Sequence, residues 1–388
     1  MASSAITDTA DTTLGKIVGD LASGHDRLSG FHLLQAGEEA FARRIGLIKA
    51  AEKAIDVQYY IWHLDLTGNA VYEQLLRAAD RGVRVRILLD DLDTAGKDRT
   101  LHLIDAHPGI EVRLYNPFAN RDHRAMDFVG DTKRVDHRMH TKTLTVDNQV
   151  TVFGGRNIGD EYFAASEEVG FSDMDALAMG PIVSEVSEQF DLFWNSEWVY
   201  PLAAFTPDPP VTGADVEAFR AESAQNLAST LESEYADVLR TMEDAGVLGV
   251  DGLKLDWSEW FLAYDYPDNV VREELDKATN LAPNILKSME LARSELLIVS
   301  PYFVPGEEFA QFLTRRAGEG VTVKILTNSL QSNDVGLVHA GYMRYREELI
   351  AGGVELYEFK ATTRVVPSGE NQVRTDKKVE ADKASLHA

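Results

Sequence analysis

The chain has no cysteine in 388 residues. That excludes a disulfide framework, thiolate metal sites and thiol catalysis, and it leaves the redox compartment open. No apolar run approaches the ~20 residues that a membrane-crossing helix needs. Residues 1–20, MASSAITDTADTTLGKIVGD, lack both a basic start and a long apolar stretch, so they do not read as a secretory signal. Positive charge is scarce as well: 38 Lys and Arg stand against 63 Asp and Glu, a net charge of −25. Such a chain repels nucleic acid and anionic bilayers at long range, so binding to either has to use a local basic pocket.

What the chain does have is one dense stretch, Arg138 to Phe163, RMHTKTLTVDNQVTVFGGRNIGDEYF. His140, Lys142, Asp147, Gly154, Gly155 and Asn157 fall in it as H-x-K-x4-D-x6-G-G-x-N. Met139 to Val146 alternates apolar and polar residues over a β-branched run, which predicts a strand with His140 and Lys142 on one face. Asp147-Asn148 reads as a turn, and Val150 to Phe153 as a second strand ending at glycines where the backbone can approach something closely. A histidine beside a lysine suits a phosphoryl centre, because neutral imidazole can attack phosphorus while the ammonium holds the non-bridging oxygens. Asp147 sits at the turn, where locking the hairpin through its own backbone is the blander reading. His137 and His140 point to opposite faces of a strand, so a metal pair is not expected.

Six fixed positions at this spacing resemble the signature of the phospholipase D superfamily. DVQYYIW (Asp56–Trp62), RGVRVRILLDD (Arg81–Asp91), GGRNIGDEYF (Gly154–Phe163), LTNSLQSNDVGLVHAGY (Leu326–Tyr342) and GVELYE (Gly353–Glu358) extend the resemblance to its bacterial C-type cardiolipin synthases. The resemblance implies two motifs meeting across a pseudo-two-fold, one histidine attacking phosphorus and the other protonating the leaving alcohol. It implies a metal-independent phosphatidyl transfer with no cofactor, acting on phosphatidylglycerol, with phosphatidylethanolamine a second candidate. The setting implied is cytoplasmic, peripheral at the inner face of a bacterial membrane, with an accessory protein as a candidate partner and no nucleic acid. It also implies an acid after the signature that fixes the histidine's tautomer; of Asp173 and Asp175, Asp173 is preferred.

The organisation repeats. Residues 1–29 read as a loose or marginally helical segment. Residues 30–200 alternate strands and helices, with Thr67 expected to cap the helix after DVQYYIW. Residues 201–256 are an acidic linker opened by Pro207, Pro209 and Pro210 and followed by surface helices. Residues 257–388 repeat the first half: WFLAYDYP answers the opening strand, ELLIVSPYFV answers DVQYYIW, GVTVKILTN at Gly320 answers GVRVRILLD at Gly82, and GVELYEF at Gly353 answers GIEVRLY at Gly109. The expected fold is α/β: two duplicated phospholipase D-like α/β/α halves with mixed, largely parallel sheets.

The duplication makes His387 the counterpart of His140. The second half is expected to be incomplete, its motif cut off after the histidine, with His387 near the chain end and no following strand to order it. On this reading the chain by itself is inactive. Tyr60 and Tyr302 stand at matching strand ends and are candidates to line the lipid site, as is Asn328 at the carboxyl end of a parallel strand. Gly154 and Gly155 are candidates for the phosphate rim. Two other readings stay open: a phosphodiesterase of the same superfamily acting on phospholipid or nucleic acid, and a non-catalytic interaction module.

Overall fold

A computed structural model describes residues 2–129, 132–166, 168–207, 209–230, 235–237, 240, 242, 249–250, 252–268, 281–333, 336–361 and 383–387. The strands are β1 Ser29–Leu34, β2 Ala54–Tyr59, β3 Arg84–Asp90, β4 Ile110–Tyr115, β5 Thr143–Val146, β6 Val150–Gly154, β7 Val169–Ser172, β8 Asp175–Met179, β9 Val199–Pro201 and β10 Asp256–Ser258, followed by β11 Glu295–Val299, β12 Thr322–Asn328, β13 Glu355–Phe359 and β14 Lys383–Leu386. Ten of these strands form or flank the first half. Nine make one sheet in the order β10-β1-β8-β6-β5-β2-β3-β4-β9. Its centre is the parallel trio β2-β3-β4, and these strands are buried on both faces under helices, their apolar side chains on one face and paired polar ones such as Asp56 and Arg86 on the other.

The helix Gly37–Ala50 carries Glu38 and Glu39 in its first turn and Lys49 in its last, in accord with the helix dipole. The helix Leu66–Asp80 starts two residues earlier than Thr67 would allow as cap. Asp65 caps it instead, its carboxylate accepting from Gly68 N. On the other face the helix Ile182–Trp194 sets Phe190, Phe193 and Trp194 against Leu88, Tyr115 and Met139.

Of the two readings of the first residues the helical one fits: Thr13–Leu21 is a helix capped by Thr12, with Leu14 and Val18 packed into the main core. The acidic middle is docked on the first half, where Arg99 pairs with Asp215, Arg220 with Asp80, and the Tyr235 hydroxyl donates to the Phe163 carbonyl. WFLAYDYP is not a strand. β10 lies just before it and pairs antiparallel with β1 of the first sheet, and the residues after β10 run as an irregular strap.

The second half keeps the parallel trio, β11-β12-β13, as the repeat requires. The helices Gly306–Gly318 and Arg346–Ala351 pack Ala310, Leu313 and Leu349 on its inner face. β14 leaves this half and pairs in parallel with β7 of the first, Lys383 opposite Val169 and Leu386 opposite Ser172. That pairing carries the second half's histidine into the first half's loops.

Candidate active site

The hairpin β5–β6 turns at Asp147 and Asn148, both at positive φ (49° and 50°), a region that Asp and Asn tolerate better than other side chains. Asp147 is fully buried, and its carboxylate accepts from Lys53 N at 2.8 Å, Ala54 N at 2.9 Å and Glu52 N at 3.0 Å. It therefore ties the hairpin to the start of β2, rather than bonding its own backbone. It also lies at the far end of β5 from Lys142, so it stands outside the cleft and touches no reacting group.

Residues 139–142 precede β5 as extended chain, since the strand begins only at Thr143. His140 and Lys142 nevertheless meet. The buried Lys142 Nζ lies 2.9 Å from His140 Nδ1 and donates to the His140 carbonyl at 2.8 Å. An ammonium donating to Nδ1 leaves the His140 proton on Nε2. His140 is exposed at the cleft surface, yet partial desolvation there, then Lys142 and His387, lower its pKa to about 4, so the ring is neutral at pH 7. Burial also lowers Lys142 to about 8, against the pull of Asp173 and Asp175. Tyr60 packs on the histidine with ring centroids 4.1 Å apart, and Lys142 Nζ lies 5.6 Å from the same tyrosine ring.

His387 is ordered, contrary to the fraying expected of a near-terminal residue. Its N–H donates to Ser172 O at 3.0 Å, continuing the β14–β7 pairing. Its ring stacks on Phe171 (5.1 Å between centroids) and meets Tyr162 edge-on (4.8 Å). Nδ1 lies 3.0 Å from Asp173 Oδ2, and Nε2 lies 3.3 Å from the Tyr162 hydroxyl. A carboxylate can only accept, so Nδ1 carries the proton and the unprotonated Nε2 accepts from the Tyr162 hydroxyl. Asp173 thus bonds the histidine of the other half and not His140. Asp175 is committed to Arg44 at 2.9 Å and to Arg156 N at 3.1 Å.

Asn157 closes the signature, a position from which an oxygen-side donor to substrate would be expected. It is fully buried, its Oδ1 accepting from Ile61 N at 3.1 Å and its Nδ2 donating to the Tyr162 hydroxyl at 3.1 Å. It acts on the site through Tyr162 and so on His387. Gly154 lies at the cleft surface. A Cβ there would come within 2.3 Å of Asp175 Oδ1 and 2.6 Å of Met174 O, which is why β6 can pass residues 174–175 only as glycine. Gly155 N donates to Met174 O at 3.2 Å.

Asn328 was expected in the pocket, but both of its amide groups are used on Leu386. Asp90 plays the same part in the first half, accepting from Met139 N at 2.7 Å and pairing with Arg138 at 3.1 Å. Tyr302 is half-buried and comes close enough to Tyr162 to add to the upward shift that burial gives its hydroxyl.

Spacing alone gave no sign of Tyr162 and Phe171 as the His387 sleeve, although both flank the signature. Among the described residues, one trio has metal-ligand character: His63, Asp65 and Glu161, whose ligand atoms lie within 4.8 Å of one another. These atoms are spoken for. Asp65 accepts from Gly68 N and Asp160 N, and His63 Nδ1 pairs with Glu161 at 3.0 Å.

Two duplicated α/β halves that bring a neutral histidine, a buried lysine and a second, acid-oriented histidine together define the phospholipase D-like class. A family model described as "Cardiolipin synthase, PLD-like domain" matches residues 45–194 and 285–373. Cardiolipin synthase C of Escherichia coli (strain K12) is 44% identical over 353 residues, covering 90% of this chain and 73% of that protein. An uncharacterized protein of Helicobacter pylori (strain J99) is 30% identical over 365 residues, covering 91% and 70%. Among solved structures, phosphatidylserine synthase from Haemophilus influenzae Rd KW20 matches with a TM-score of 0.53 at 15% identity, over 96% of this chain and 79% of that one, a likeness of fold. The chain belongs to the phospholipase D-like cardiolipin synthase family, and with that to the phosphatidyltransferase enzymes of phospholipid synthesis.

Proposed function

We propose that this enzyme makes cardiolipin by moving a phosphatidyl group from one phospholipid, phosphatidylglycerol or phosphatidylethanolamine, to the hydroxyl of a phosphatidylglycerol, through a phosphohistidine and without a metal. The observation that carries this reading is the Asp173–His387 bond, which keeps the second-half histidine's proton on Nδ1 and leaves Nε2 unprotonated, with only the long Tyr162 hydroxyl contact to give up, beside His140 and Lys142. His387 Nε2 attacks phosphorus, the bond from phosphorus to the leaving alcohol breaks, and that alcohol takes the Nε2 proton of His140. Lys142, hydrogen-bonded to Nδ1 of the same ring, keeps its charge against the non-bridging oxygens as phosphorus is attacked, passes a proton to that ring as the alcohol leaves, and takes it back when His140 is protonated in the second step. The hydroxyl of the second lipid then gives its proton to His140 and attacks the phosphohistidine, regenerating both histidines. Asn157, Tyr162 and Asp173 hold His387 in place, and Tyr60 packs His140.

Because both substrates sit in a bilayer, the reading places the chain at a membrane surface. No helix among the described residues is long and apolar enough to cross a membrane. The deciding experiment incubates the protein with phosphatidylglycerol labelled at phosphorus, with and without EDTA, and follows cardiolipin and protein-bound label. Acid-labile, base-stable label on His387 and EDTA-insensitive product formation are expected. EDTA-sensitive turnover, or label that survives His387→Ala, would overturn the mechanism.

A further inference from the structure

The hydroxyl of Tyr162 lies against the atom that the proposed reaction uses. Its oxygen accepts from Asn157 Nδ2 at 3.1 Å. That amide is fixed in orientation, because its Oδ1 is taken by the Ile61 N–H, which can only donate. The Tyr162 proton is therefore not committed to Asn157, and it is directed to the unprotonated Nε2 of His387, 3.3 Å away. The contact is long for a hydrogen bond from a hydroxyl, so little is lost in breaking it.

In an attack-ready arrangement phosphorus stands about 3–3.5 Å from the nucleophilic atom, the distance at which the Tyr162 oxygen already lies. Phosphorus and hydroxyl compete for one lone pair, and the hydroxyl gives it up as phosphorus arrives. Around the line of attack the phosphoryl group carries its equatorial oxygens, over which the transition-state charge is spread. A hydroxyl released at Nε2 meets these oxygens first, and its O–H turns to them by rotation about its own C–O bond. The rest of the residue stays in place: the ring meets Phe171 edge-on with centroids 5.0 Å apart, and the Tyr162 carbonyl accepts from Arg156 Nε at 3.1 Å. Burial raises the phenol pKa above its ordinary 10.0, so the group remains a neutral donor at and well above pH 7.

The opposite side of the cleft has its own charge. Lys142 lines a cavity of about 530 Å³ under residues 262–266 of the strap and is held at the His140 ring. Asn157, where an oxygen-side donor would be expected, has its amide committed to Ile61 and Tyr162. We infer that Tyr162 fills that part as a catalytic residue: its hydroxyl passes from His387 Nε2 to an equatorial phosphoryl oxygen as the nitrogen attacks, and returns when the phosphohistidine is resolved. The bond from Nε2 to phosphorus forms while the bond to the leaving alcohol breaks, the alcohol takes the His140 proton, and Tyr162 keeps its own proton throughout. This rests on the proposed attack by His387 and adds to it the donor that stabilises the charge on that side.

The test replaces Tyr162 in the full chain by Phe and, to leave the packing nearly unchanged, by mono- and difluorotyrosine, whose phenols are more acidic and donate more strongly. Each protein is titrated with orthovanadate, which adopts the trigonal-bipyramidal arrangement of an attacked phosphoryl group, and is assayed for transfer from phosphatidylglycerol. Tyr162→Phe should loosen vanadate by about tenfold or more, the scale of a hydrogen bond to a charged group. It should lower kcat by about a hundredfold or more with KM little moved. Fluorination should tighten vanadate in step with acidity. If the hydroxyl only held the His387 ring, vanadate would have to break that bond, so Tyr162→Phe would bind it as well or better and fluorination would weaken it. Either result overturns the donor, and it leaves attack by His387 standing where His387→Ala abolishes vanadate binding. Vanadate binding that is absent in wild type, or indifferent to His387→Ala, removes the His387 reading and the donor with it.

Discussion

Asn328 grips Leu386 by both of its backbone groups, donating to the carbonyl at 3.0 Å and accepting from the N–H at 2.9 Å. Leu386 immediately precedes His387. In the other half Asp90, at the equivalent end of its parallel strand, accepts from Met139 N, and Met139 immediately precedes His140. Each half therefore aims its histidine with a side chain from the carboxyl end of the middle strand of its parallel trio, acting on the residue before the ring. The duplication has kept the device while changing its chemistry from carboxylate to amide.

Asn328→Leu should release that grip. It leaves the Leu386 N–H without its side-chain partner and the carbonyl with the Ser385 hydroxyl alone at 3.1 Å, at about 1–3 kcal/mol for a group left unsatisfied. Hydrogen exchange at residues 383–387 should speed up while β2 and β3 stay protected, and phosphatidyl transfer should fall with it. Unchanged exchange at Leu386 and His387 would show that β7 pairing alone holds the segment.

Asp173→Asn keeps the shape at His387 but can donate as well as accept, so the ring is no longer confined to the tautomer with Nε2 unprotonated. Turnover should drop by about a hundredfold or more, the range attributable to a positioned acid–base group. The KM for phosphatidylglycerol should move little, because Asp173 is bonded to the histidine. A variant that loses affinity while keeping kcat would make Asp173 a binding residue.

Lys142 gives a pH prediction in which activity and stability move in opposite directions. Its folded pKa is lowered from 10.5 to about 8, mainly by burial. Above pH 8 the clamp loses its charge, so transfer should fall through a limb near 8, while His140, lowered to about 4, remains neutral throughout. Between 8 and 10.5 the unfolded chain binds the proton more strongly than the folded one, so this group's contribution to stability rises as pH rises. Lys142→Arg should carry the activity limb beyond the accessible range, and a limb that stays near 8 in that variant would assign it to another group.

The regular elements were legible because their signals are local. β2, β3 and β4 are short runs rich in Val, Ile and Leu, buried along nearly their whole length, and β11, β12 and β13 repeat their spacing and nearly their lengths although β11 and β13 are largely exposed. The repeat could be read in Gly82 and Gly320 for the same reason. WFLAYDYP failed because an apolar, aromatic run reads equally well as a strand or as a strap lying over a cavity, and only its neighbours decide. At the site, the spacing of His140 and Lys142 carried over even though their strand starts later than expected. Asp173 was singled out, but it bonds the histidine of the other half. Which ring an acid serves depends on how β14 of one half pairs with β7 of the other, a contact between residues far apart in the chain. Asn157 and Asn328 failed in a common way: a buried amide at a motif position serves the backbone or a neighbouring tyrosine as readily as it serves a ligand.

The two histidine-aiming side chains should not be interchangeable. Asp90 faces Arg138, which also bonds the Val135 carbonyl and lies 5.0 Å from the Phe118 ring, so Asp90→Asn keeps an acceptor for Met139 N and leaves the arginine other partners. The residue before Leu386 is Ser385, whose hydroxyl is already given to the Ser332 carbonyl at 2.7 Å, and it supplies no cation. Asn328→Asp would set a buried carboxylate against the Leu386 carbonyl with nothing to neutralise it, at about 3–5 kcal/mol by the measure of other unpaired buried charges. The introduced acid should respond by a raised pKa, since burial disfavours its charged form. A raised carboxyl pKa means that the folded state holds the proton more strongly, so the penalty grows as pH rises and shrinks as it falls. Protonated, the acid regains a donor for the Leu386 carbonyl. Chemical denaturation at pH 8 and pH 5 should therefore show Asn328→Asp far below wild type at the higher pH and nearer to it at the lower, with Asp90→Asn costing little at pH 8. An equal deficit for Asn328→Asp at both pH values would mean that the site hydrates and that the contrast between the halves has no electrostatic origin.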